Sequence, residues 1–172
     1  EAVLRLKGGS AGPGGESFAT VIDLDVDAFI PPAYIVNEVQ KLDIYKRIAG
    51  IENERERDDM RDELLDRFGE VPGSVDNLLA VALIRVAAQK LFLTEVKSKN
   101  DKILFIFKPD ADVNPAGIPA LLKRAGEDLT FTAYGNPFFA YRYKKTGLLE
   151  KDGELLLERT QTLLAWMLEL LR

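Results

Sequence analysis

The stretch Asp58–Leu79, DDMRDELLDRFGEVPGSVDNLL, decides how this chain is read. Met60, Leu64 and Phe68 recur every fourth residue, which places them on one stripe of a helix. Gly69 is a stop signal, and Val71-Pro72-Gly73 is a turn. From Ser74 onward the residues are apolar again and a new helix is expected. Upstream, Asn53 followed by Glu56 is a helix start of the capping-box kind, so the charged helix is predicted to run from there to Phe68. At about 100° per residue, Glu56, Asp59, Glu63 and Asp66 fall along a second stripe, separate from the apolar one. That stripe is the first question the chain poses, because like charges at such spacings destabilise a helix by a few tenths of a kcal/mol each. Glu63 can offset part of this by pairing with Arg67 four residues later.

Working outward, Asn37 with Gln40 is another helix start, and Val39, Leu42, Tyr45, Ile48 and Ala49 are the expected buried stripe. The helix after Gly73 is apolar almost all round as far as Leu91, the pattern of a buried helix. Before these helices, FATVIDLDVD (Phe18–Asp27) alternates: Phe18, Thr20, Ile22, Leu24 and Val26 on one face, Asp23, Asp25 and Asp27 on the other. A half-buried strand ended by Pro31-Pro32 is expected. The three aspartates are oxygen ligands of the kind a divalent cation takes. They lack the turn glycine and distal glutamate of a calcium loop, and the pattern favours a solvated face.

The second half changes period. TEVKSK and KILFIF flank Asn100-Asp101 as a hairpin, and Asn114-Pro115 opens a short helix to Ala125. LTFTAY and FFAYRY are two strands around Gly135-Asn136-Pro137. A last helix is anchored by Leu155, Leu163, Trp166, Met167 and Leu170. The fold class is α+β: a helical first half after an entry strand, then a small, mostly antiparallel sheet with a short helix and a carboxy-terminal helix.

Composition narrows the chemistry. With no cysteine and no histidine among 172 residues, thiolate nucleophiles, imidazole bases and the usual zinc ligands are excluded. No catalytic, metal or cofactor site is expected. A net charge of −5 argues against a broad phosphate-binding surface. No apolar run approaches the roughly 20 residues of a membrane helix, and a cytoplasmic location is expected. The start at Glu1 suggests a piece of something larger. Gly8–Gly15 lacks the Lys and Ser/Thr of a Walker loop, so residues 1–16 are expected to be a linker or the tail of a preceding domain, and 17–172 a single domain. The aromatic strand FFAYRYKK (138–145) offers an alternative, a nucleic-acid or protein-binding module, since bases stack on exposed aromatics beside Lys and Arg. Sheet packing is favoured for these rings. For the acidic stripe, a solvated face and a docking surface for an arginine-rich partner both remain open on physical grounds.

Leu42–Leu91, with its L-D-I-Y-K-R-I-A, E-L-L-D-R-F-G, proline-bearing turn and N-L-L, resembles the carboxy-terminal domain of the bacterial transcription-repair coupling factors, the Mfd family. VIDLDVDAFIPPAYI before it is similar to that family's entry strand. The resemblance covers roughly Val21–Leu93, and beyond that only Val113-Asn114-Pro115 and the helical ending with its tryptophan are similar.

The resemblance implies a parent that is an ATP-dependent DNA translocase acting on stalled RNA polymerase, whose motor lies outside this chain. It implies that this domain is regulatory and not an enzyme, docks on the UvrB-like amino-terminal module of the same polypeptide, and masks a UvrA-binding surface in transcription-coupled excision repair. Glu63 and Asp66, with Arg67 beside them, match the family's docking positions. Glu56 and Asp59 join by geometry alone. Leu64, Leu65 and Phe68 are expected in the core. Direct binding of nucleic acid by this piece is not expected.

Overall fold

A computed structural model describes residues 18–172; the linker assigned to residues 1–16 lies outside them. The described residues divide into two compact units. One comprises residues 18–19 and Asp27–Val86, the other Thr20–Val26 and Ala87–Arg172.

The first unit is helical. Helix α1 (Glu38–Ala49) starts at Asn37, whose side chain accepts the Gln40 N–H at 3.0 Å. Helix α2 (Glu54–Phe68) starts at Asn53, which accepts the Glu56 N–H at 2.9 Å. Both starts were marked by an asparagine in the sequence because its short side chain reaches the third amide of the helix. Gly69, at φ 89°, ends α2 in backbone that glycine adopts without strain. Helix α3 (Gly73–Lys90) runs from the first unit into the second, and only its terminal residues Gly73 and Lys90 are exposed. The core of the first unit gathers Ile30, Ile35, Ile44, Ile48, Met60, Leu64, Val75 and Leu79.

One expected stripe was misjudged. Val39 and Leu42 are 78% and 54% exposed, while α1 buries Ile44, Ile48 and Ala49. Two apolar stripes compete on this helix. The isoleucine stripe wins, because it faces Met60 and Leu64 in the same cluster.

The second unit is built on a five-stranded sheet in the order β1-β2-β3-β5-β4. Strand β1 (Val21–Asp23) is shorter than the alternating segment predicts. The alternation itself is present, with Phe18, Thr20, Ile22, Leu24 and Val26 half-buried and Asp23, Asp25 and Asp27 exposed. β1 pairs in parallel with β2 (Leu93–Lys99), Val21 opposite Glu95. A parallel neighbour needs a long crossover, and the three helices of the first unit supply it. β2 turns into β3 (Lys102–Phe107) with Asn100 at φ 57°, the left-handed conformation that asparagine tolerates.

Helix α4 (Gly117–Ala125) begins two residues later than Asn114-Pro115 suggested. Asn114 still organises the entry, its side chain accepting the Ala116 N–H at 3.1 Å. β4 (Leu129–Thr132) pairs with β5 (Phe138–Arg142), and β5 with β3. Helix α5 (Leu149–Leu170) closes the chain and buries Leu156, Leu163 and Met167. Leu155, Trp166 and Leu170 are half-buried, and the Trp166 ring carries the Arg124 guanidinium 5.7 Å above it.

Candidate interaction surface on the charged helix

α2 presents two charged faces with different chemistry. On its inner flank every arginine is engaged. Arg47 of α1 reaches across and forks onto Glu63, Nη1 donating to Oε2 and Nη2 to Oε1 at 2.7 Å. Arg67 donates to the same Oε2 at 2.9 Å, the pair expected from spacing. Arg61 donates through Nε to Asp76 of α3 at 2.8 Å, and Arg57 to Asp58 at 2.8 Å. Accepting from two guanidinium groups stabilises the carboxylate, so Glu63 is pushed down to about 2. Arg47 is raised, first by its hydrogen bond to Glu63.

The outer face is different. Asp59, Asp62 and Asp66 are exposed, and among the described residues none of them forms a hydrogen bond or ion pair. Leu65 flanks them, 48% exposed. It was expected in the core beside Leu64, but one helix step turns it about 100° away from the Met60, Leu64, Phe68 stripe. Leu64 is fully buried and Phe68 partly so, its ring 5.8 Å from that of Tyr34. The Tyr34 hydroxyl donates towards the Leu64 carbonyl at 3.1 Å and the Gly69 carbonyl at 2.9 Å, tying down the end of the helix.

The five predicted site residues therefore separate. Glu56 closes the start of α2, its carboxylate accepting the Glu52 N–H at 2.8 Å. Glu63 accepts from both Arg67 and Arg47. Asp59 and Asp66 face outward. Sequence reasoning overlooked Asp62 and Leu65 as members of that outer face. The helical period was the available signal, since Asp62 lies three residues from Asp59 and four from Asp66.

The other candidates are dispersed. Asp23, Asp25 and Asp27 are exposed along an extended segment, and among the described residues no group of three or more acidic side chains is arranged to hold a metal ion. In the aromatic strand Phe139 is fully buried and Tyr143 nearly so. Phe139 packs on Phe131 and Phe107 at centroid distances of 4.8 and 5.8 Å, so these rings build the sheet's core, while Phe138 and Tyr141 of the same strand are half-buried. Among the described residues no helix is long and apolar enough to cross a membrane.

An α+β chain whose distinguishing surface is a charged helix, with Arg57, Arg61 and Arg67 paired within the domain and Asp59, Asp62 and Asp66 exposed beside Arg55, has the features of a protein-interaction domain. The chain belongs to the TRCF domain family, whose model matches residues 24–118. It is 34% identical over 117 residues to the transcription-repair-coupling factor of Bacillus subtilis (strain 168), a match covering 68% of this chain and 10% of that protein. The Staphylococcus haemolyticus (strain JCSC1435) factor is 38% identical over 82 residues, 48% of this chain and 7% of the relative. The Rickettsia prowazekii (strain Madrid E) factor is 33% identical over 98 residues, 57% and 9%. The chain thus spans about a tenth of the length of these relatives. Among solved structures, a crystal structure of the C-terminal domain of a transcription-repair coupling factor superposes with a TM-score of 0.70 at 25% identity, covering 87% of this chain and 94% of the other.

Proposed function

We propose that this chain is a non-catalytic regulatory domain of a transcription-repair coupling factor. It docks through the outer face of α2 onto a basic surface of the UvrB-like amino-terminal module of the same polypeptide, and so masks a UvrA-binding surface in transcription-coupled excision repair. The observation that carries this reading is the division of charge around α2: Arg57, Arg61 and Arg67, with Arg47 of α1, pair within the domain, while Asp59, Asp62 and Asp66, three carboxylates sharing an exposed face with the one cation Arg55, form no ion pair among the described residues. A guanidinium-bearing partner is the chemistry such carboxylates recognise. Leu65 supplies an apolar anchor along one flank of the acidic stripe, where water exclusion strengthens the adjoining ion pairs. Glu63 serves indirectly, fixing α2 against α1.

Losing a desolvated charge pair at such an interface costs on the order of 2 to 5 kcal/mol, far more than helix-surface repulsion returns. The test is UvrA binding by the full-length factor carrying Asp59→Lys, Asp62→Lys and Asp66→Lys together. We expect affinity to rise by about tenfold or more as the masked surface opens, and pull-down of the amino-terminal half by this domain to fail. Unchanged UvrA affinity with unchanged pull-down overturns the reading.

A further inference from the structure

Where β4 ends and β5 begins, the sheet has a partly open cleft of about 90 Å³ lined by Phe107, Val113, Ile118, Phe131, Phe139 and Leu171. The lining is almost wholly apolar. The volume is below the roughly 150 Å³ that accepts a benzene ring, so it suits a branched aliphatic side chain better than an aromatic one. Phe131 places the cleft on β4 itself, and β4 is an edge strand. Among the described residues, the β4 backbone bonds to β5 on one side, and beyond that ladder only the Leu129 N–H finds a carbonyl, that of Gly126. In an antiparallel ladder these groups alternate, so Thr130 and Thr132 bond inward to β5, and the Phe131 N–H and C=O, with the Leu129 carbonyl, face outward and are open to an added strand. Just before β4, Glu127 and Asp128 are exposed, and among the described residues they form no ion pair.

We propose that the β4 edge and this cleft bind an extended peptide segment of a partner protein. The segment adds as a strand beside β4, inserts one Leu, Ile or Val into the cleft, and sets a Lys or Arg against Glu127 and Asp128. Strand addition draws affinity from main-chain hydrogen bonds and specificity from side-chain pockets. A residue laid opposite Phe131 projects to the same face of the sheet as Phe131, which is the face of the cleft. Glu127 and Asp128 sit in a single 3-10 turn, Gly126–Asp128, at the amino end of the same edge, so a cation towards that end of the added segment meets them. The carboxylates therefore set the sign of the partner's charge and the end of the segment that carries it. An open edge alone is a common feature that short strands render harmless; the adjoining cleft and charge single out this one. This surface is separate from the outer face of α2, and its occupancy does not depend on the docking role proposed for that helix.

The probe is a fluorescein-labelled octapeptide, Lys-Lys-Thr-Thr-Leu-Thr-Val-Thr, titrated against the 172-residue chain by fluorescence anisotropy, with hydrogen exchange of the β4 amides read in parallel. We expect saturable binding below about 1 mM, a loss of about tenfold or more when the peptide's Leu is replaced by Ser, and slowed exchange in β4. Ala111→Leu, which fills the cleft from its own wall, and the surface pair Glu127→Lys with Asp128→Lys should each weaken binding by about tenfold. The surface pair keeps the test decisive if Ala111→Leu disturbs folding. No binding up to about 1 mM, equal binding of the Ser peptide, or slowed exchange at β1 with none at β4 overturns the proposal.

Discussion

The helical unit and the sheet unit hold their shapes by different means. Between Asp27 and Val86 an aliphatic cluster forms the core, but the helices are registered at their surfaces by arginine forks, Arg47 to Glu63 and Arg61 to Asp76. From Ala87 onward one such fork, Arg124 to Glu169, joins α4 to α5, and within the sheet registration comes from contact. Phe105 and Phe139 are fully buried opposite each other across β3 and β5, and the amino end of α4 is pressed against the end of α5. Ion pairs at exposed sites are weak and screened by salt, whereas buried aromatic contacts are neither. The β3–β5 core should therefore respond to deletion of volume, and the α1–α2 and α2–α3 registrations to pH and salt.

The largest effect tests the aromatic side of that contrast. Phe139→Ala removes a ring that touches Phe107 and Phe131, and should cost about 3 to 5 kcal/mol. Hydrogen exchange should show β3, β4 and β5 losing protection. Equal loss in α1 and α2 would show that the two units open as one cooperative body, and the contrast would then hold only for local registration. Next in size is Gly117→Ala. A Cβ on Gly117 would lie 1.8 Å from the Leu170 carbonyl oxygen, a backbone atom that cannot rotate away. α4 and α5 would have to separate, at a cost of about 1 to 3 kcal/mol, measurable as a lower denaturation midpoint.

On the charged side, Arg47→Ala should cost about 1 kcal/mol or less, because the fork is partly solvent-exposed. Its signature is the pH dependence. Glu63 has a folded-state pKa of about 2 against an ordinary 4.5, so its contribution is fully present above about 4.5 and is lost as the pH falls towards 2. In Arg47→Ala that loss should begin from a smaller contribution, and the two stability curves should converge in acid. Parallel curves through this window would show that Glu63 keeps its low pKa through Arg67 alone.

Local signals were legible in the sequence, and long-range ones were not. Asn37, Asn53, Gly69 and Asn100 mark element ends because capping and turn conformations depend on the residue itself. The alternation from Phe18 to Val26 announces an extended, half-buried segment for the same reason. Nothing local says that this segment pairs in parallel with a strand beginning at Leu93, or that Gly117 must admit a carbonyl from a helix some fifty residues later. The candidate site divides along the same line. The Glu63–Arg67 pair follows from spacing, but Arg47, from a different helix, decides that Glu63 faces inward. Val39 and Leu42 were misread because helical period identifies a stripe without identifying which of two stripes meets the core.

The smallest effect bears most directly on the docking surface. Replacing Asp59, Asp62 and Asp66 together by Asn removes three carboxylates that have no partner among the described residues, and should leave this chain's own stability within about 0.5 kcal/mol of the original. The sign should be a slight gain, since the like charges at three- and four-residue spacing repel. Urea titrations at low salt and at about 1 M salt should show that gain fading, because the Debye length shrinks from about 10 Å at 0.1 M to about 3 Å at 1 M. The outcome separates the two uses of charge on α2. Carboxylates that orient the fold cannot be neutralised without cost, and carboxylates kept for a partner can. A loss above about 1 kcal/mol would place these aspartates with Glu63 as structural groups, and the docking surface would then have to be sought on the exposed apolar stripe of α1.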